Sequence, residues 1–417
     1  MGFRSKPSHR DGLGYSDVSP PPDLPSMSKR RPNHKPGTRL SHVGRDPSHF
    51  HGFVNTPIYR GSTVLFPTAA ALEANDQEFT YGRLGTPTVK ALAEAIAELE
   101  GGHATLLTPS GLSAIATSFL ALLSAGDHVL VSDSVYRPTR RFCDNVLKRL
   151  GIETTYYDPL VGAGIKGLFK PNTKMVFAES PGSQTFEVQD IPAIAAAAHA
   201  AGALLVLDNT WATPLFYKSF AHGADVSIQA ATKYIVGHAD AMLGTITANE
   251  AVWPKVARTH DELGLCPGPE DVYLALRGLR SLGVRLARHQ ASSLALAEWL
   301  AKRPEVARVI HPALPSDPGH AIWKRDFTGS SGLFAVVLKP ASKKAVAAML
   351  DGLELFGMGY SWGGFESLII PFDPSTYRTA THWNAEGPAL RIHIGLEDVD
   401  DLKADLEAGF ARLATNS

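Results

Sequence analysis

Two spacings of apolar residues alternate along most of this chain. After Pro87, the residues Val89, Leu92, Ile96 and Leu99 recur at helical intervals, and Gly101-Gly102 end the run. Residues 104–108 then read as a strand. The turn Ser110-Gly111-Leu112-Ser113 opens a second helix, with Leu112, Ile115, Phe119 and Leu122 on one face. The pattern goes on to predict a strand over 128–132, a helix over 138–150 and a strand over 174–178. A helix follows over 191–201 with Asp190 as its cap, then strands over 203–207 and 225–229. Strands alternating with helices predict a mainly parallel sheet covered on both faces, with ligands beyond the C-terminal ends of its strands.

The flanks differ. After Gly268 the pattern predicts a long helix over 271–290 that continues through 291–302, strands over 332–338, 367–372 and 389–394, and helices over 342–350 and 400–413. This is a smaller α+β domain. Residues 41–85 are polar and irregular, with extended stretches at 55–60 and 62–66 before Tyr81-Gly82-Arg83. Such a segment crosses a surface, its own or a partner's. Residues 1–40 hold eight Lys or Arg, three Asp and seven Pro with hardly any aliphatic side chains, so a disordered, solvated basic tail is expected there. Met27 offers an alternative start.

Composition narrows the classes. Of 417 residues 44% are apolar and 19% charged, as in a globular enzyme with a large core, and the net charge of −1 gives no reason to expect nucleic acid or an anionic membrane as partner. The two cysteines, Cys143 and Cys266, form neither a disulfide framework nor a metal-ligand spacing; they fit a reducing compartment, and a cytoplasmic location is expected. The most apolar stretch, 191–207, is interrupted by His199 and Gly202. It reads as helix then strand, not as a membrane span of about 20 residues. The N-terminus has no apolar signal core, and the chain has no Gly-x-x-x-x-Gly-Lys-Ser/Thr motif.

The candidate chemistry lies at predicted strand ends. Asp208 closes one apolar strand, and Lys233 follows another whose neighbourhood, 226–231, carries no charge. A lysine amine can form a Schiff base with the aldehyde of pyridoxal phosphate (PLP), and an acid can keep the pyridine nitrogen protonated. Burial lowers a lysine's pKa towards the nucleophilic range. A surface lysine and a turn-forming Asp are the plain alternatives. The Ser110–Leu112 turn offers free N–H groups at a helix start, which suits a phosphate. All three features fall at or just beyond strand ends, which points to one shared site.

Several motifs in order resemble the Cys/Met-metabolism PLP enzymes, which include cystathionine lyases and synthases and methionine γ-lyase. The Lys233 segment Gln-Ala-Ala-Thr-Lys-Tyr-Ile-Val-Gly-His resembles that family's Schiff-base motif. It is joined by Tyr81-Gly82-Arg83, Ser110-Gly111, Tyr136-Arg137-Pro138-Thr139, Glu179-Ser180-Pro181, Asp208-Asn209-Thr210 and Arg391-Ile392-His393-Ile394-Gly395-Leu396-Glu397, so the likeness runs from about Asn55 to Leu413. Trp362 in Tyr360-Ser361-Trp362-Gly363-Gly364, Gly182-Ser183 after Pro181, and Thr210-Trp211-Ala212 resemble the bacterial β-lyase branch.

The resemblance implies a PLP-dependent transferase-like α/β fold of the aspartate aminotransferase type I, with a mainly parallel seven-stranded sheet, a smaller C-terminal α+β domain and an extended N-terminal arm. The implied parts are a tail (1–40), an arm on a neighbouring subunit (41–84), a PLP domain (85–279) and a C-terminal domain (280–417). It further implies β-elimination of L-cystathionine to homocysteine, pyruvate and ammonia. γ-Elimination, γ-synthesis, a broad cysteine-S-conjugate β-lyase or, least of all, a PLP-fold regulator or binding module are the alternatives. Lys233 and Tyr136 would be catalytic, Asp208 would hold the ring, and Tyr136 would stack on it. Gly111, Leu112 and Thr232 would bind the phosphate, with Tyr81 and Arg83 reaching it from the other subunit of a dimer within a homotetramer. Ala230 stands where many relatives have a phosphate-binding Ser. Arg391, helped by Ser361 and Trp362, would grip the substrate carboxylate. A charge in so apolar a strand needs an anionic partner.

Overall fold

The computed structural model describes residues 34–415. The first segment is helix α1 (Pro36–His42), followed by α2 (Ala69–Ala74) and α3 (Pro87–Glu100). Thr86 caps α3 through its hydroxyl, and Gly101, at φ +80°, ends it. Strand β1 (Ala104–Thr108), α4 (Gly111–Leu122), β2 (His128–Ser132), α5 (Arg137–Phe142), β3 (Glu153–Tyr157), β4 (Thr173–Glu179), α6 (Ile191–Ala200), β5 (Leu204–Asp208), α7 (Thr213–Phe216), β6 (Val226–Gln229) and β7 (Gly244–Ala248) complete the first layer system.

These seven strands form one sheet in the order β1-β7-β6-β5-β4-β2-β3. The pairs β2–β3, β2–β4, β4–β5 and β5–β6 are parallel, while β7 runs antiparallel to both β6 and β1. The expected helix over 138–150 is helical but changes pitch: a π-turn spans Cys143–Leu147 after α5. Strands β3 and β7 escape the apolar pattern because Thr, Tyr, Glu and Gly supply most of their residues.

Then come α8 (Trp253–Glu262), α9 (Pro269–Leu300), β8 (Val306–Ile310), α10 (His320–Asp326), β9 (Leu333–Leu338), α11 (Lys343–Asp351), β10 (Leu368–Phe372), β11 (Ala389–His393) and α12 (Val399–Thr415). The second sheet is antiparallel, in the order β10-β11-β9-β8. The division expected at 279/280 falls inside α9. Its first half packs Val272, Ala275, Leu279 and Leu282 against α3, and its last turns pack Leu296 and Leu300 against the second sheet. One 32-residue helix thus braces both layers.

Most of the tail expected over 1–40 lies outside the described residues; its last part requires a correction. Residues 36–42 are helical, with Leu40 and Val43 buried beside α9, and Arg280 Nη1 donates to the carbonyls of both. Burying Leu40 contributes about 1.5–3 kcal/mol, which a segment with an isolated apolar residue gains only when a groove receives it. Among the described residues no helix is long and apolar enough to cross a membrane.

Candidate active site

Adjacent parallel strands bring the acids of the site together. Glu179 ends β4 and Asp208 ends β5, in register. Asp208 is buried. Its Oδ1 accepts from the Thr210 backbone N–H at 3.0 Å and from the Thr210 hydroxyl at 2.5 Å. Burial raises its pKa, opposed by Thr210 and by the Lys233 charge. Burial, and then the charge of Asp208, push Glu179 well above the usual carboxylate range. Glu179 Oε2 accepts the Tyr136 backbone N–H at 2.6 Å, which fixes the start of α5.

Thr210 links these acids to the lysine. Its hydroxyl also accepts the Ala230 N–H at 2.8 Å, the first residue of the turn after β6. That turn carries Lys233, whose N–H returns to the Ala230 carbonyl at 3.0 Å. Lys233 Nζ donates to Ser361 Oγ at 2.6 Å and lies 5.2 Å from the centre of the Trp362 ring. Burial, with the nearby Arg391 charge, lowers its pKa to about 8, so a substantial free-amine fraction exists near neutral pH.

The helix start stands beside the same turn. Ser110 caps α4, its hydroxyl accepting the Ser113 N–H at 3.1 Å, and the N–H groups of Gly111 and Leu112 belong to the first turn, which has no acceptor inside the helix. A side chain at Gly111 is excluded, because its Cβ would lie 2.5 Å from that of Ala230. A Ser at 230 would place its hydroxyl at this contact; here Ala230 leaves the site to N–H groups. Thr232 is beside them, but its hydroxyl donates to the Leu243 carbonyl at 3.1 Å and accepts the Leu243 N–H at 2.9 Å. It must turn from Leu243 before it can donate to a ligand.

Arg391, in the middle of β11, is buried at 6% exposure. Its Nη2 donates to the carbonyls of Gly359 (3.2 Å) and Ser361 (2.9 Å); its Nε has no partner, and no carboxylate pairs with it among the described residues. Burial lowers its pKa to about 10. Tyr136 is half exposed, and burial, then the charges of Glu179 and Asp208, raise its pKa, so the phenol keeps its proton.

Lys233, Asp208, Tyr136, Arg391, Ser361 and Trp362 are therefore linked by contact or by field. Tyr81 and Arg83 are not brought to them within one chain. Arg83 donates to the Asp261 carbonyl at 2.9 Å and pairs with the Asp261 carboxylate on α8, and Tyr81 is 45% exposed. Sequence reading gave no role to Thr210 or Glu179, though both stood in quoted motifs; a polar residue at the end of an apolar strand was the available signal. It also missed Asp133, buried after β2, whose carboxylate accepts the N–H groups of Thr379, Ala380 and Thr381 and pairs with Arg140. This clamp ties the segment between β10 and β11 to the loop that bears Tyr136.

Comparison with known proteins gives a consistent picture. The family model described as "Cys/Met metabolism PLP-dependent enzyme" matches residues 37–411. A "Putative cystathionine beta-lyase" of Rhizobium johnstonii is 55% identical over 90% of this chain and 95% of its own length. "Cystathionine beta-lyase MetC" of Escherichia coli is 48% identical over 90% of this chain and 98% of its own. The crystal structure of metB from Corynebacterium glutamicum superposes with a TM-score of 0.85 at 32% identity, covering 92% of this chain and 100% of that one.

The residues present fit pyridoxal phosphate. The α4 start offers N–H groups to a phosphate. Asp208 is a buried acid whose second oxygen accepts no hydrogen bond among the described residues, which suits a protonated ring nitrogen. Lys233 is an amine beside it whose pKa burial lowers to about 8.

Proposed function

Because the chain belongs to the Cys/Met-metabolism PLP-dependent enzymes, we propose that it is a cystathionine β-lyase, cleaving the Cβ–S bond of L-cystathionine to homocysteine, pyruvate and ammonia. The observation that carries this reading is the Lys233 amine held between Ser361 and Trp362, on the same turn whose carbonyls orient Arg391. An amino acid whose carboxylate pairs with Arg391 has its Cα delivered to that amine.

Gly111 and Leu112 would hold the phosphate with their N–H groups, joined by Thr232 once its hydroxyl turns, and Asp208 would hold the ring nitrogen. Bound there, the cofactor supplies an aldehyde for exchange with the substrate amine and a protonated ring that takes up the electrons of the broken Cα–H bond. Lys233 Nζ removes the α-proton; a pKa of about 8 leaves enough free amine to do so and enough basicity to hold the proton. The Cβ–S pair departs with sulfur, and the proton it needs comes from Lys233 or from the Tyr136 phenol, which burial keeps protonated. Water consumed at the remaining three-carbon fragment completes the balance to pyruvate and ammonia. Trp362 covers the amine with an apolar ring and limits its solvation.

The arm supports a shared site in a homotetramer built from dimers. Phe53, Leu65, Tyr81 and Leu84, all on the arm, are exposed at 45–83%, apolar surface that an adjoining subunit would cover. Arg83 and Tyr81 would bind the phosphate of a neighbouring subunit. Cys143 and Cys266 are both free thiols, which supports a reducing, cytoplasmic setting.

The test is to supply the PLP-loaded protein with L-cystathionine and identify the keto acid. Pyruvate with homocysteine is expected. 2-Oxobutyrate with cysteine would overturn the β-lyase reading in favour of γ-elimination.

A further inference from the structure

Two buried histidines behind the substrate turn have no part in the chemistry above. His393 lies two residues beyond Arg391 on β11, and His289 lies on α9; both are fully buried, with ring centres 5.3 Å apart. His289 Nδ1 contacts the Ile394 carbonyl at 2.7 Å, so that nitrogen carries the proton and Nε2 keeps a lone pair. His393 Nε2 accepts the Gly363 N–H at 3.1 Å, so its lone pair is there and its proton is on Nδ1. The longer 3.3 Å approach to the Gly364 carbonyl demands the opposite tautomer and yields to the shorter contact. The two ring atoms without partners are therefore His289 Nε2, an acceptor, and His393 Nδ1, a donor.

The Gly363 N–H belongs to the turn that builds the site. Gly363 has φ +85°, and a Cβ there would lie 2.9 Å from the Lys233 carbonyl carbon, so the turn presses directly on the lysine backbone. The same turn presents Ser361 Oγ to Lys233 Nζ and the Gly359 and Ser361 carbonyls to Arg391. A charged imidazole would lose the lone pair and repel both Lys233 and Arg391. Burial holds both rings neutral, His289 at about 4 and His393 lower than its usual range.

We propose that His393 is a positioning residue for substrate binding: it accepts the Gly363 N–H and so fixes the turn that orients Arg391 and Ser361. This deepens the reading of the site given above and depends on it only for the choice of substrate.

The experiment compares His393→Gln with His393→Asn in the full-length, PLP-loaded enzyme, with amide hydrogen exchange on the unmutated protein. Gln reaches far enough to put an acceptor where Nε2 stands; Asn ends where Nδ1 stands. His393→Gln should keep KM for L-cystathionine within about threefold, and His393→Asn should raise it about tenfold with a smaller change in kcat, the loss expected of one hydrogen bond. The Gly363 amide should exchange far more slowly than that of exposed Tyr360. Equal KM values in the two variants, or a Gly363 amide exchanging as fast as that of Tyr360, would overturn the proposal. Should His393→Asn fail to fold, the exchange measurement decides alone. If L-cystathionine is not turned over but Gly363 is protected, the substrate reading fails while the role of His393 stands.

Discussion

Glu179 and Asp208 end neighbouring parallel strands in register, and the charge of Asp208 helps keep the proton on Glu179. Two enclosed carboxyls this close do not both ionise cheaply. Among the described residues, Asp208 has Thr210 and the Lys233 charge to favour ionisation, whereas Glu179 has the Tyr136 N–H alone. Glu179→Gln, neutral and still able to accept that N–H, should retain activity within about threefold, and Glu179→Leu should lose tenfold or more, about 1.4 kcal/mol, by freeing Tyr136. Steady-state kinetics on both variants check this; a large loss in Glu179→Gln would mean that the charge itself is used.

Lys233 and Ser361 give the second expectation. Lys233→Ala should abolish turnover and the visible absorbance of the bound cofactor. Ser361→Ala should leave the absorbance and lower kcat/KM about tenfold, the order expected for one hydrogen bond to a partly charged amine. Absorption spectra with kinetics separate the two. Full activity in Lys233→Ala would refute the assignment of the base.

Among the described residues Arg391 has no carboxylate partner, and its planar fork suits one from the substrate. Arg391→Lys preserves the charge but not the fork, so KM should rise about 10- to 100-fold with a smaller effect on kcat. Equal losses in kcat and kcat/KM would place the residue in the transition state instead of in binding.

Arg83 pairs with Asp261 in its own chain, so a site completed by a second subunit predicts complementation. Arg83→Ala chains, dissociated and reassembled with Lys233→Ala chains, should form hybrids holding one site with both residues intact. Activity of the mixture above that of either parent is the expected result; activity equal to the parents' average would restrict Arg83 to its contact with Asp261.

Glu100 offers a stability test. It is buried at the end of α3, accepting from Gln229 Nε2 at 2.8 Å and Ser227 Oγ at 3.1 Å, and burial raises its pKa to about 7. The folded state therefore holds a proton that the unfolded chain releases near the ordinary glutamate value of 4.5. Stability from this group is full below that unfolded value and is lost as pH rises towards 7. Glu100→Gln removes this loss, so its melting temperature relative to the unmutated protein should be higher at pH 8 than at pH 5, by the equivalent of up to about 3 kcal/mol. A pH-independent difference would show that the carboxyl stays ionised when buried.

Much of this molecule was legible in its residues. The helical spacing of Val89, Leu92, Ile96 and Leu99 marked α3, and the alternation of apolar strands with helices announced the parallel sheet, because periodicity reports directly on which face is buried. Lys233, Asp208 and the Ser110–Leu112 turn were legible as chemistry because each stands at a strand end and the residue types are few that can do such work. Strands β3 and β7 were not, since their residues pair through backbone groups and carry little apolar signal. The short helix carrying Leu40 was taken for tail because a lone leucine shows nothing of the groove that receives it.

By itself, then, the sequence determined most of the element types, the family and the residue kinds at the centre. Tertiary structure alone decided which of them meet. Glu179 acquires its proton from the register of β4 against β5, Lys233 gains Ser361 from 128 residues away, and Asp133 clamps a segment nearly 250 residues downstream. Burial and charge act through space, over a few ångströms, and a linear string does not record those distances.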